Sequence, residues 1–401
     1  MPRSIDKPRK AFSLDEKLKR KRENLAKEVN TSEENLKLVN RFIDSQIMEG
    51  LSRQSCMTYL TSLRYVLQNS DIDFATATKE DVEKVLITLE SWTAISGRNA
   101  GSPLSPFTKN TIKMQFKRFL QFIGLEEIAG VIKCKNLKGT KLPEDILTKD
   151  EVLLIIDHAG STRDKALFGQ LYESGCRAGE ILSLKVKNIE FLDNGGCAIT
   201  FPKGKTGPRR VLIFNFASYM RQWLDVHPLK DNPEAPLWPT SDYRFAPLSY
   251  IGLRYLLRET VKRTGIKKRV WIHGFRHSRA THLAEHLTEQ QMKIYLGWSP
   301  GSDMPATYVH LSGKDMDRAI KKMYAIEDQE VPIDTMRPGI CPRCHELNPS
   351  HARYCYKCGL VLTKEQNERD TKAFLEIMEE AKINPELLQK AVILGLQEMA
   401  R

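Results

Sequence analysis

The chain has 401 residues, 41% of them apolar, which is enough for at least one sizeable core and, at this length, for two or three domains. A formal charge of +12 favours polyanionic partners through counterion release, with nucleic acid ahead of an anionic membrane surface. The basic start lacks the apolar run of a signal peptide and no stretch approaches a transmembrane length, so the expectation is a cytoplasmic protein without a membrane span.

In chain order, residues 1–30 contain "KLKRKR", which reads as a solvated helix or tail able to touch DNA backbone. From Thr31 the pattern turns helical. "TSEENLKLVNRFIDSQI" offers Thr31 or Ser32 as a cap and places Leu36, Val39, Phe42 and Ile43 at helical spacing. The same periodicity recurs in "RQSCMTYLTSLRYVLQN", "TKEDVEKVLITLES" and "SPFTKNTIKMQFKRFLQFIG", each behind polar capping residues. Residues 31–130 are therefore predicted to form a helical domain. Its last helix carries Lys109, Lys113, Lys117 and Arg118, a row that either faces DNA or is merely solvated. Residues 131–145, rich in Lys with Gly139 and Pro143, read as a linker.

A second domain is predicted over 146–328, mainly α with one small antiparallel sheet. "LTKDEVLLIIDHA" and "TRDKALFGQLYESG" read as helices, the second stopping at Gly175. "CAITF" and "RRVLIF" are β-rich runs flanking "PKGKTGP", which predicts a hairpin with a glycine-containing loop. In "LTEQQMKIYLG", Thr288 and Gln291 have capping-box spacing and Gly297 stops the helix.

Several residues in this domain are equipped for phosphate chemistry. Arg177, in "ESGCRAGEILSL", lies at a helix start, where its guanidinium can grip an anion or pair with Glu180 or Glu173. Lys203 and Lys205 sit on the hairpin tip. In "HGFRHSRATHL", His273 and Arg276 are one helical turn apart, joining a group that moves protons near neutral pH to one that keeps its charge. Tyr308 follows Pro305 at the start of a short helix, beyond Trp298 and the "SPGS" loop. A phenol with a pKa of about 10 needs a base and nearby cations to act as a nucleophile.

In order and spacing, Arg177, a hairpin lysine, His273 with Arg276, Trp298 and Tyr308 resemble the catalytic set of the tyrosine recombinase, or phage integrase, family. "GCRAGEILSL" is similar to the family's first arginine box, and "HGFRHSRATHL", "LGWSP" and "YVH" to its second. The resemblance implies a helical core-binding clamp followed by a catalytic domain of the DNA breaking-rejoining fold. It also implies a mechanism. Tyr308 would attack a scissile phosphate to form a 3′-phosphotyrosyl link with a free 5′-hydroxyl, and Arg177 and Arg276 would hold the non-bridging oxygens. His273 would act as acid-base residue, and the hairpin lysine, Lys205 in preference to Lys203, would protonate the leaving oxygen. Trp298 stands where the family often has histidine, and one extra residue separates it from Tyr308. Because the link conserves the phosphodiester energy, the resemblance implies neither ATP nor a catalytic metal. The implied partner is double-stranded DNA, bound by a homotetramer on two sites. Rival readings are a type IB topoisomerase and a DNA-binding regulator that kept the fold and lost the chemistry.

Cys341, Cys344, Cys355 and Cys358, two CxxC pairs ten residues apart, suit a closed tetrahedral zinc site with a structural role over 338–361. Metal binding of about 10–16 kcal/mol in apparent terms would fold a module too small for its own core. A zinc ribbon behind such a catalytic domain resembles an arrangement of archaeal integrases. The other cysteines, Cys56, Cys134, Cys176 and Cys197, are expected as reduced, mostly buried thiols. Residues 362–401 show helical periodicity broken near Pro385 and a slightly acidic balance, which predicts packing on a partner subunit.

Overall fold

The computed structural model describes residues 13–97, 99–135, 145–202, 204, 207–308 and 336–383. The chain divides into two compact units, Met1–Gly139 and Thr140–Arg401. No helix among the described residues is long and apolar enough to cross a membrane.

The first unit is all helical: α1 (Leu14–Glu28), α2 (Glu33–Met48), α3 (Arg53–Asn69), α4 (Lys79–Thr88), α5 (Pro106–Phe122) and the short α6 (Glu126–Ala129). Ser32 caps α2 by accepting the Asn35 amide at 3.1 Å, and α2 turns Val39, Phe42 and Ile43 inward. The basic run belongs to helix α1, which does more than stay solvated. It buries Leu18 and Leu25 in the core of this unit, a contribution of about 1.5–3 kcal/mol for each side chain, while its lysines and arginines cover the outer face. Charge dominated the local pattern and hid this apolar edge. The lysine row on α5 is not left to solvent either. Lys109 and Lys113 pair with Glu90 at 2.8 and 3.2 Å, Lys117 donates to the Ile132 carbonyl, and Arg118 pairs with Glu49 at 2.7 Å.

The second unit begins with α7 (Lys149–Asp157), α8 (Thr162–Glu173) and α9 (Ala178–Leu182). A three-stranded antiparallel sheet follows, β1 (Ile189–Phe191), β2 (Cys197–Phe201) and β3 (Arg209–Ile213), in the order β1-β2-β3. The expected hairpin is present with Ile199 opposite Val211, and β1 adds a third strand too short to signal itself by alternation. Next come α10 (Ala217–Asp225), α11 (Tyr250–Thr264), α12 (Ile272–Leu283) and α13 (Glu289–Leu296). Both arms of the Thr288–Gln291 capping box form, and Gly297 ends α13 at φ +62°. Phe168, Leu171, Phe201, Phe216 and Phe275 meet in the core of this unit. Cys56, Cys176 and Cys197 are buried as expected, whereas Cys134 is exposed because it lies just beyond Ile132, the last core residue of its unit.

The cysteine module, with the two-stranded β4 (Gly339–Ile340) and β5 (Leu347–Asn348), leads into α14 (Lys364–Ile383). The module is docked on the rest of the second unit. Met336 enters the main core, Ser350 N–H donates to Asn215 Oδ1 at 3.0 Å, and His351 Nε2 lies 3.0 Å from Tyr219 Oη and 3.2 Å from Asp157. The first part of the acidic tail is α14, tied back by Tyr354 O–H donating to Asp370. The portion beyond Pro385 lies outside the described residues.

Candidate active site and cysteine cluster

Helix α8 stops at a sharp turn. Gly175 has φ +56°, a left-handed conformation that favours glycine, and a Cβ there would meet Leu296 Cδ2 at 2.6 Å. The turn aims the Gly175 carbonyl at Arg276 Nη1, 2.8 Å away on α12, and sets Arg177 at the N-cap of α9. Residues 101 positions apart in sequence thus share one turn.

Glu180 organises the arginines. It accepts from Arg177 Nη1 at 2.8 Å and from Arg209 Nη2 at 2.9 Å, and it accepts the Arg177 amide at 2.9 Å. Burial alone would raise this carboxyl, but the hydrogen bonds from Arg209 and Arg177 hold it below its ordinary value. Of the two sequence alternatives for pairing Arg177, Glu180 is the partner. Glu173 instead accepts the amides of Phe214, Asn215 and Phe216 at 2.7–2.9 Å. Arg177 Nη2 also donates to the Gly297 carbonyl at 2.9 Å, so α13 is anchored to the same residue.

Arg276 is buried, with 3% of its surface exposed, and its Nη2 has no hydrogen-bond partner among the described residues. Burial first, then Arg177 and Arg209, pulls its pKa down to about 10, so it stays charged at neutral pH. Its guanidinium carbon lies 5.4 Å from the Trp298 ring centroid, and Trp298 stacks on Tyr308 at 5.8 Å with 12° between planes. Tyr308 follows a 3-10 turn, Pro305–Thr307, and its ring enters a cluster with Ala280, Leu283, Met292 and Leu296. Burial pushes its phenol up to about 12, against the pull of Arg276.

His273 precedes Arg276 by one turn on α12 and is exposed. Partial loss of water around the ring, then His277, Arg276 and Arg177, moves its pKa below the ordinary value. Two neighbours of this group, His277 and Arg209, are assigned no role by the sequence motifs above. His277 Nδ1 is hydrogen-bonded to the Tyr308 hydroxyl, and its ring lies 4.6 Å from that of His273. Arg209 shares Glu180. A signal for Arg209 was present, because strand alternation puts it on the same face as the buried Val211 and Ile213. No sequence signal links His277 to a tyrosine 31 residues away. Lys203 and Lys205 lie outside the described residues.

Residues 145–314 match the model of the phage integrase family. The chain therefore carries a phage integrase domain. Tyrosine recombinases of this family are DNA strand-transferring enzymes, and site-specific DNA recombination is the reaction class of this integrase-family chain. It is 27% identical over 227 residues to the tyrosine recombinase XerA of Pyrococcus horikoshii, covering 54% of this chain and 74% of that protein. It is also 27% identical over 313 residues to transposase A from transposon Tn554 of Staphylococcus aureus, covering 72% of this chain and 83% of that one. Its fold is similar to the Tn1549 transposon integrase in complex with transposon right end DNA, with a TM-score of 0.53 at 13% identity, over 71% of this chain and 99% of that one. XerH bound to palindromic difH substrate gives 0.51 at 18% identity, over 78% and 95%.

The four cysteines of the C-terminal module bring their sulfurs within 4.8 Å of one another. Cys341 and Cys358 are 3.6 Å apart and Cys344 and Cys355 3.5 Å, close to the edge of about 3.8 Å that four sulfurs at about 2.3 Å from a tetrahedral zinc would have. Burial opposes ionisation of Cys341, yet the Cys344 and Arg343 amides hold its thiol below the ordinary value, and the Cys358 and Lys357 amides do the same for Cys355. Cys344 has the Glu346 amide in its favour, but burial and the three other sulfurs push it up to about 12. A divalent cation removes that repulsion between thiolates.

Proposed function

We propose that this chain cleaves and rejoins double-stranded DNA at specific sites through a 3′-phosphotyrosyl intermediate, with Tyr308 as nucleophile. The observation that carries the reading is the imbalance around Glu180. Three guanidinium groups, Arg177, Arg209 and Arg276, gather about one carboxylate, and the buried Arg276 Nη2 is left without a partner. A buried, unmatched donor of this kind is costly unless a ligand completes it, and a phosphate oxygen has the required charge and geometry. Arg177 and Arg276 hold the non-bridging oxygens as charge grows on them, Glu180 keeps Arg177 and Arg209 in place, and Trp298 supports the attacking ring. His273, held neutral in the free protein, exchanges a proton with the phosphate oxygens or with water. Lys205, or Lys203 from the same hairpin loop, protonates the leaving 5′-oxygen. Trp298 has only an indole N–H to donate and moves no proton.

The same reading extends to partners and metal, the latter supported by the four clustered cysteine sulfurs. DNA is the partner, four protomers assemble on two sites, and one structural zinc closes the cysteine module without leaving a position for water. No metal is required for strand transfer itself.

The test is covalent trapping. Wild type, Tyr308→Phe and Arg276→Ala are incubated with a pool of genomic and random duplex DNA without magnesium or ATP and stopped with detergent, and the attached DNA is sequenced. Adducts clustered at one sequence with wild type are expected. Tyr308→Phe should give none while still binding DNA, and Arg276→Ala should give at least 100-fold less, the scale of losing one transition-state donor. Scattered adducts would instead indicate a topoisomerase, and full cleavage by Tyr308→Phe would exclude this tyrosine.

A further inference from the structure

The proton on the Tyr308 hydroxyl needs an acceptor, and the partner in contact with that hydroxyl is not His273 but His277. We infer that His277 is the general base of the reaction, its Nδ1 taking the phenolic proton as Tyr308 attacks. This inference rests on Tyr308 being the nucleophile.

Helix geometry supports it. His277 follows Arg276 directly, and His273 lies three residues before one and four before the other, so it neighbours both. Adjacent positions leave α12 in different directions, so the tie between His277 and the arginine is electrostatic: the Arg276 charge acts on both the His277 ring and the Tyr308 hydroxyl that touches it. Arg276, His273 and Tyr308 are the titratable groups that face His277 among the described residues; the Trp271 ring 6.4 Å away carries no charge. Burial and then Arg276 keep the imidazole neutral near pH 7, the form that accepts a proton. With Nε2 protonated, Nδ1 receives the hydroxyl hydrogen, in line with the contact seen.

The balance of the step is complete. The bond from the Tyr308 oxygen to phosphorus forms and the bond from phosphorus to the 5′-oxygen breaks. The phenolic proton passes to His277 Nδ1, and the 5′-oxygen takes its proton from the hairpin-loop lysine. Transfer ahead of attack is uphill for a phenol at about 12, so the proton moves as the new bond forms. Rejoining runs the same steps backwards, with His277 returning the proton to the departing Tyr308 oxygen. His273 is thereby left to the phosphate, and the two histidines of one helix turn divide the acid-base work.

The experiment measures single-turnover cleavage of the DNA recovered by trapping, across pH 5 to 9, for wild type, His277→Gln, His277→Gly and Tyr308→Phe, with DNA affinity and thermal melting recorded for each. The expected result is cleavage slower by about 10²–10⁴-fold in His277→Gln, with affinity within about two-fold and the acidic limb of the pH profile gone. Added imidazole should raise cleavage by His277→Gly, which keeps the test meaningful if glutamine perturbs the helix. His277→Gln cleaving as fast as wild type or faster would show that His277 merely restrains Tyr308 and would overturn this inference alone. Cleavage by Tyr308→Phe, or no adduct with wild type, would overturn the nucleophile assignment on which it stands.

Discussion

Arg177 and Arg209 come from different elements and end on the same carboxylate, Glu180, while the buried Arg276 Nη2 has no hydrogen-bond partner among the described residues. Under the proposed function, that division gives a buried cluster of like charges its use, because a phosphate would complete it. The same burial affects stability through His277. In the folded protein its pKa lies below the ordinary value, whereas the unfolded chain takes up its proton near pH 6.5. Below about pH 6.5 the unfolded state binds more protons, so this contribution is complete above that pH and is lost as pH falls toward the folded value. The Tm of the free protein should therefore drop more steeply between about pH 7 and 5 in wild type than in His277→Gln. Equal slopes in a melting series would show that another group sets the dependence. Of the residues that the structure gathers around Arg276, Arg177, His273, Trp298 and Tyr308 were legible because each sits in a short word with its own spacing. His277 was in plain view within "HGFRHSRATHL" yet its role was not, since the contact with Tyr308 is made across the fold.

At the level of elements, the site depends on how α8 ends. The Gly175 turn serves three partners at once: its carbonyl holds Arg276, its missing Cβ admits Leu296 of α13, and its exit direction sets Arg177 at the start of α9. Gly175→Ala adds a left-handed strain to a 2.6 Å clash and should destabilise the second unit by about 2 kcal/mol or more, with a parallel loss of cleavage. Gly179→Ala, where a Cβ meets nothing within 4 Å, is the matched control and should be neutral or slightly stabilising. Denaturant unfolding of both variants separates them, and equal stability would mean that Leu296 yields without cost. Helix starts were readable from sequence because a capping hydroxyl acts within one turn, as Ser32, Thr148 and Thr288 show. The docking of α1 was not, because two leucines among ten charged positions acquire meaning only from the helix they pack against.

Over the whole molecule, the cysteine module is an extension of the second unit. Met336 in the core, Ser350 on Asn215 and His351 between Tyr219 and Asp157 join the two, and a Cβ on Gly195 would meet Leu347 at 2.9 Å. Folding of the cysteine knuckles is therefore coupled to the catalytic part. The full-length protein should carry one zinc per chain, and Cys344→Ser or strong chelation should empty it and lower the Tm of the second unit. Metal analysis with parallel calorimetry checks this; a chain without zinc that melts like the loaded one would show that the knuckles contribute no stability to that unit.

The sequence by itself determined the local features: where helices begin and stop, the β2–β3 hairpin, the paired cysteines, and the ordered words that mark the integrase family. Each is set by interactions within a few residues, or by spacing that a sequence displays directly. Tertiary structure decided which arginine takes Glu180, which donor of Arg276 is left open, and which histidine meets the tyrosine. These depend on side chains brought together from 29 to 120 residues apart, where packing chooses among partners that are chemically equivalent along the chain.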